Sequence, residues 1–275
     1  MACKGKFDGS GVLVTGAGTG IGQGVATAFA EAGANVVFHY THSGDGAKQS
    51  AEAARGLGVR AEAIQADFND VQQVQQLAAS AESFLGRIDV LVNNSGITMN
   101  RTFFETTPEQ FDTLFHVNIR AMFFLTQAVA RGMADRGQGA VINLTSVHAY
   151  AGFREHSVYA STKGAIVAFT RTLSLELAPR GIRMNAIAPG WILVENHYKA
   201  HDVDEEAAAR NIPAGFIGRP HDVAELALYL ASDDARYVVG QTIIIDGGQL
   251  AIMPCTGDFR EPVDGQFGKG YVPGL

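Results

Sequence analysis

The sequence predicts an α/β protein in which a parallel sheet is covered by helices on both faces. Three observations carry that prediction. Seven short apolar runs of strand length punctuate the 275 residues. Longer segments of helical period separate them, the order expected of βαβ units rather than hairpins. A glycine-rich loop leaves the first run and opens the first helical segment.

Val12 to Val14 forms the first strand, and Gly16 to Gly22 the loop. Ile21, Val25, Phe29 and Ala32 then recur at roughly helical spacing, and Gly33 stops that helix. Val36, Val37 and Phe38 give the second strand. Ala61 to Ala66, Ile88 to Val92, Val141 to Leu144, Ile182 to Ala188 and Thr242 to Ile245 complete the set. Thr107-Pro108-Glu109 places a capping hydroxyl before a proline at the first helical position. No repeat or linker interrupts the pattern, so residues 1–250 read as one domain. Two segments break the rhythm. Residues 191–215 are polar, acidic and partly helical, a variable lid; residues 251–275 read as a glycine- and proline-rich tail.

Composition bounds the function. A hydrophobic content of 47% supports a sizeable core, and 28 acidic against 21 basic residues give a net charge of −7. Such a surface repels phosphate backbones, which disfavours general nucleic-acid binding. Two cysteines, Cys3 and Cys255, cannot build a disulfide framework and suggest a reducing compartment. No signal-like leader and no bilayer-length run stand out. The expectation is a soluble cytoplasmic protein.

The loop Thr15-Gly16-Ala17-Gly18-Thr19-Gly20-Ile21-Gly22 lets the backbone turn tightly and approach a pyrophosphate. The helix behind it supplies unpaired N–H groups and a positive dipole end. A tight connection without ligand is the competing reading; the strand-loop-helix-strand context favours nucleotide binding. Asp67, ending the third strand, is read either as an acceptor for an adenine amino group or as a cap for the helix near Val71.

Tyr159 and Lys163 stand at i and i+4 on one face of a helix. A free phenol has a pKa near ~10, and a neighbouring cation lowers it toward useful acid–base chemistry. Ser146 ends the fifth strand, where parallel-sheet enzymes place ligands, and its hydroxyl could bond the same substrate oxygen. Alone, such a Tyr-x-x-x-Lys pair is usually a solvated helix face. The glycine loop and Ser146 turn it into evidence for a site.

Together Thr15-Gly16 to Gly22, Asn93-Asn94-Ser95-Gly96, Asn118, Ser146, Tyr159, Lys163 and Pro189-Gly190 resemble the short-chain dehydrogenase/reductase family over residues 8–250. The resemblance implies a single-domain, Rossmann-type, doubly wound, seven-stranded sheet and a nicotinamide cofactor. It implies that Tyr159 is the acid/base, that Ser146 orients the substrate oxygen, and that Lys163 lowers the phenol pKa and holds the nicotinamide ribose. Asn118 would support a water-linked relay to Lys163. Cofactor contacts are expected from Gly16, Thr19, Gly20, Ile21, Gly22, Asp67, Phe68, Asn93, Asn94, Ser95, Gly96, Pro189, Gly190 and Ile192. Family members are usually tetramers built through the helices that contain Asn118 and Tyr159. The face Ala165, Phe169, Thr172 and Leu173 suits such an interface or packing on the sheet. Two departures stand out: Ser95 replaces the usual alanine, and Val194 stands near where many members have a carboxamide-binding threonine.

The stretch His39-Tyr40-Thr41-His42-Ser43 has no carboxylate to favour NAD. Tyr40, Ser43 and a protonated His42 could accept a 2′-phosphate, whereas Thr19 stands where many NADP users place a basic residue. The expectation is NAD(P), leaning to NADP, with His39 and His42 read as phosphate contacts or as two solvated loop histidines. Residues 146–148 and 212–220 resemble bacterial glucose 1-dehydrogenase and related polyol dehydrogenases. His148 and Arg154 are expected at the substrate, with His156 also facing the cleft. Trp191 is read as a wall for a sugar ring or as lid packing. His197 and His201 stand at i and i+4, but without an H-E-x-x-H pattern they read as a solvated lid helix, and no metal is expected. The function expected is hydride transfer at a secondary alcohol, carbonyl or hemiacetal of a sugar or polyol. A 3-oxoacyl carrier-protein or small-ketone reductase and an inactive nucleotide-binding protein are the alternatives.

Overall fold

The computed structural model describes residues 5–195 and 204–252. Seven parallel strands form one sheet in the order β3-β2-β1-β4-β5-β6-β7. They are β1 Gly11–Val14, β2 Asn35–Tyr40, β3 Ala61–Gln65, β4 Val90–Asn93, β5 Gly139–Leu144, β6 Ile182–Pro189 and β7 Thr242–Ile245. Each contains or overlaps its predicted run, and boundaries move by one or two residues. The central strands are rich in Val, Ile, Leu and Ala because both their faces are covered, whereas the edge strands β3 and β7 are partly open, with Glu62, Gln65 and Ile244 exposed.

Six main helices precede the lid: α1 Gly20–Glu31, α2 Gly44–Gly56, α3 Val71–Leu85, α4 Pro108–Phe115, α5 Ala121–Arg136 and α6 Ser157–Leu177; helix Pro220–Ala231 follows it. The strand period of two sorts the core into two layers. Val12, Val14, Val36, Phe38 and Val92 pack with α1, α2 and helix Pro220–Ala231. Leu13, Val37, Leu91, Val141 and Met184 face the other way, onto α3, α5 and α6. The chain reverses direction across the sheet between β1 and β4, which opens a crevice at their carboxyl ends.

The Thr107 cap forms as expected and closes reciprocally. Its hydroxyl accepts from the Gln110 amide at 3.3 Å, and Gln110 Oε1 accepts from the Thr107 amide at 3.1 Å. The capping reading of Asp67 is corrected: Asp70 caps α3, accepting from the Gln72 amide at 2.8 Å. Asp70 stands at the N-cap position, whereas Asp67 is three residues too early.

The lid is tied down at both ends. Ile192 pairs with Gly218, and Leu193, Ala208, Ile212 and Ile217 form a separate apolar cluster. His197, His201, Cys3, Cys255 and the tail from Met253 lie outside the described residues. Among the described residues, no helix is long and apolar enough to cross a membrane.

Candidate active site

The glycine loop sits where β1 ends, knitted to the segment after β4. Thr15 Oγ1 accepts from the amides of Asn94 and Ser95, both at 2.9 Å. Asn94 Nδ2 donates to the carbonyls of Thr15 and Gly16 at 3.0 and 3.2 Å. Side chains are excluded from this contact. A Cβ on Gly18 would lie 2.3 Å from the Ser43 carbonyl oxygen, and one on Gly22 2.3 Å from that of Gly16. Thr19 is the N-cap of α1 and makes no side-chain capping bond. The first amides of α1 therefore keep their capacity for an anion, reinforced by the helix dipole. A cradle that requires glycine at positions 18 and 22, at the start of a 12-residue helix, fits a dinucleotide pyrophosphate.

Both expectations for His39 are corrected. It is neither solvated nor at a phosphate, but fully buried and stacked on Phe68 with ring centroids 4.4 Å apart. Desolvation pulls its pKa down to about 4, so the ring is neutral. Strand parity carries the signal that was missed: His39 follows Val37 by two and faces the same core layer. Phe68 is itself buried, so its ring supports the loop through His39. Asp67 Oδ1 accepts from the Asn69 amide at 2.9 Å and from its side-chain nitrogen at 3.1 Å. His42 and Ser43 are exposed beside the half-buried Tyr40, and Ser43 begins α2 without a side-chain capping bond.

Ser146, Tyr159, Lys163 and Asn118 converge as expected. Asn118 lies in a π-helical turn, His116–Arg120, between α4 and α5. Its side chain accepts from the Ile97 amide at 2.8 Å and donates to the Ile97 carbonyl and to Thr162 Oγ1 at 2.9 and 3.0 Å. A Cβ on Gly96 would touch both Asn118 Oδ1, at 3.3 Å, and Lys163 Nζ, at 3.5 Å, so these three residues meet. Lys163 is 4% exposed, and its ammonium donates to the Leu144 carbonyl at 3.0 Å. Burial pulls its pKa down to about 8. Burial also raises the Tyr159 phenol, and a hydrogen bond with Ser146 opposes that shift. The net direction is upward, set by burial. Lys163 Nζ stands 5.5 Å from the phenol ring centroid, and desolvation prevails.

His148 and His156 stack 5.1 Å apart, 11° from parallel, and both meet Tyr159 edge-on. Burial lowers the His148 pKa, and the neighbouring His156 adds to the shift. Among the described residues, His148 Nδ1 is buried without a hydrogen-bond partner. His156 Nδ1 lies 2.9 Å from the Arg154 carbonyl; a carbonyl only accepts, so Nδ1 carries the hydrogen, and this bond leaves Nε2 uncommitted. Glu155, between them, has φ 63°, alone in positive φ among the described non-glycine residues. Its carbonyl accepts from the Arg101 amide at 2.9 Å, which holds the turn. Arg154 is exposed.

Pro189 and Ile192 are buried and Gly190 half-buried. A Cβ on Gly190 would lie 2.6 Å from the Asp246 Cβ, so only glycine fits there. Val194 packs over the loop, 3.2 Å from where a Gly20 Cβ would stand. Trp191 is 39% exposed, with its backbone amide donated to Gln249 Oε1 at 3.2 Å.

A parallel sheet with a glycine-lined cradle at its topological switch point defines a dinucleotide-binding α/β protein. The family model described as enoyl-(acyl carrier protein) reductase matches residues 16–249. An uncharacterised oxidoreductase of Methylorubrum extorquens is 39% identical over 246 residues, 88% of this chain and 98% of that protein. The 3-oxoacyl-[acyl-carrier-protein] reductase of Thermotoga maritima is 36% identical over 247 residues, covering 88% and 98%. A Beutenbergia cavernae protein assigned as an NAD(P)-dependent gluconate 5-dehydrogenase, solved with NADP at low occupancy, superposes with a TM-score of 0.84. It is 35% identical and covers 92% of this chain and 100% of that one. This chain belongs to the short-chain dehydrogenase/reductase family and is an NAD(P)-dependent oxidoreductase.

Proposed function

We propose that the protein interconverts a secondary alcohol and a carbonyl on a small hydroxylated substrate, a sugar or polyol. The stacked His148–His156 pair against Tyr159 carries that reading. It lines the reacting phenol with imidazole, and His156 Nε2 is placed to hydrogen-bond a second hydroxyl. Arg154 and Trp191 flank the same cleft in this reading.

The residues that would hold the cofactor are Gly16, Thr19, Gly20, Ile21 and Gly22 at the pyrophosphate, with Tyr40, Ser43, Asp67 and Phe68 toward the adenosine. Asn94, Ser95, Gly96, Pro189, Gly190 and Ile192 would line the nicotinamide side, with Tyr159 and Lys163 at its ribose. When bound, NAD(P) supplies or accepts the hydride. The absence of a carboxylate from residues 39–43, with the exposed Ser43 and His42 at the start of α2, supports NADP over NAD.

Tyr159 gives its proton to the developing alkoxide in reduction and removes it from the alcohol in oxidation. Ser146 holds the same oxygen by hydrogen bonding. Lys163 and Asn118 form the inner wall through which the proton is replenished. Burial raises the phenol, which favours its neutral, proton-donating form.

Initial rates on aldoses, polyols and 3-oxoacyl thioesters, each with NAD(H) and NADP(H), test the substrate. Turnover of sugars or polyols is the expected result. Turnover confined to thioesters would favour the second reading, an acyl-thioester reductase, which the Thermotoga maritima likeness and the exposed Phe103 and Phe104 support. Two further parts of the proposal rest on simpler signs. Cytoplasmic location rests on the scarcity of cysteine. A homotetramer through α5 and α6 rests on the half-exposed Phe123, which packs on Phe169 at 5.5 Å along an open groove with Leu173.

A further inference from the structure

We propose that His39 is a positioning residue for the cofactor, holding the glycine loop at its working height through two consecutive amides and in a single neutral tautomer. The Gly16 N–H can only donate, so Nδ1, 3.2 Å away, must offer its lone pair. The Ala66 carbonyl can only accept, so Nε2, at 3.1 Å, must carry the hydrogen. Both ring nitrogens are therefore committed and the Nε2–H form is fixed. The next amide of the loop, Ala17, donates to the His39 carbonyl at 2.7 Å. One residue thus binds the turn through side chain and backbone together.

The consequence is a division of labour within the loop. Gly16 and Ala17 amides are spent on β2, which leaves the amides at the start of α1 for a phosphate. The ring also ties the loop to the ends of two strands. β2 leads into Tyr40, and the Ala66 carbonyl, which accepts from Thr41 Oγ1 at 2.9 Å as well, precedes Asp67. The pyrophosphate cradle is therefore held by a single buried imidazole lying flat on Phe68, whose bond to Ala66 fixes the tautomer. An apolar ring of similar size would fill the space yet leave the Gly16 N–H unpaired.

Two substitutions separate the tie to the loop from the tie to the strand. In His39→Asn the amide oxygen stands near the place of Nδ1 and keeps the Gly16 bond while releasing Ala66. In His39→Gln the longer side chain reaches Ala66 and releases Gly16. Dissociation constants for NADP+ and NAD+, measured by titration calorimetry on wild type and both variants, read the difference without turnover. The expected result is Asn within about threefold of wild type and Gln weaker by about tenfold, one lost hydrogen bond, at matched unfolding midpoints. Wild-type affinity in Gln, or equal weakening in Asn and Gln, would overturn the proposal. Hydrogen exchange on the wild type decides independently of either variant folding. The Gly16 amide should be protected before cofactor is added, and exchange at the unprotected rate would equally overturn it.

Discussion

Tyr159 carries two opposing influences. Burial raises its pKa and the Ser146 hydrogen bond lowers it, with burial prevailing. Oxidation needs the phenolate, whose fraction grows as pH climbs toward the raised pKa; reduction needs the neutral phenol. With a substrate taken from the rate panel, kcat/KM for oxidation should rise steadily from pH 6 to pH 9, while that for reduction stays level or falls. An oxidation rate independent of pH across that window would remove Tyr159 from the proton path. The pairing of Tyr159 with Lys163 was legible from helical spacing, and Ser146 joined them through its place at a strand end and through the family resemblance. His39 was not legible, because the sequence beside it reads as a polar loop end. Its meaning lies in strand parity and in Phe68 almost thirty positions away, a contact that only the β2–β3 pairing creates.

The elements that matter most for the site are its glycine turn and the helix starts around it. Gly22→Ala places a methyl carbon 2.3 Å from the Gly16 carbonyl oxygen and 2.4 Å from Asn94 Nδ2, so the cradle must open. Cofactor affinity is expected to fall by at least about tenfold, ~1.4 kcal/mol, in a variant that still unfolds cooperatively. Unchanged affinity in calorimetry would show that the cradle is not the pyrophosphate site. At α3, Asp70→Ala removes the bond to the Gln72 amide and should lower the denaturant midpoint of unfolding. Asp67→Ala should leave that helix start intact, the reverse of what a capping role for Asp67 requires. Both aspartates suit a cap in sequence; helical register decides between them, and register is the part of an element that composition fixes least.

At the scale of the whole molecule, the strands were legible because the central ones, buried on both faces, write themselves as apolar runs, and the edge strands β3 and β7 fall at the same spacing between helical segments. Family resemblance implied a doubly wound sheet, and the strand order, with β1 between β2 and β4, came from the structure. The approach of residues 101 and 155 came only from the structure, since nothing local links them. His39 also gives the fold a pH dependence. Unfolded, its imidazole takes up a proton near pH 6.5; folded, near 4. Between those values the unfolded chain binds the extra proton, so stability falls as pH drops from about 6.5 toward about 4. The loss from this group reaches ~3 kcal/mol, with no contribution above that window. His39→Asn should flatten this segment of the curve measured by urea unfolding.

The central claim is that Tyr159 moves the proton in a nicotinamide-dependent reaction, and Tyr159→Phe tests it most directly. Turnover of the best substrate and the cofactor dissociation constant should be measured side by side on the same preparation. The account predicts a loss of turnover of about 10²–10⁴-fold with cofactor affinity close to wild type. Turnover near the wild-type level, with the cofactor still bound, would contradict it.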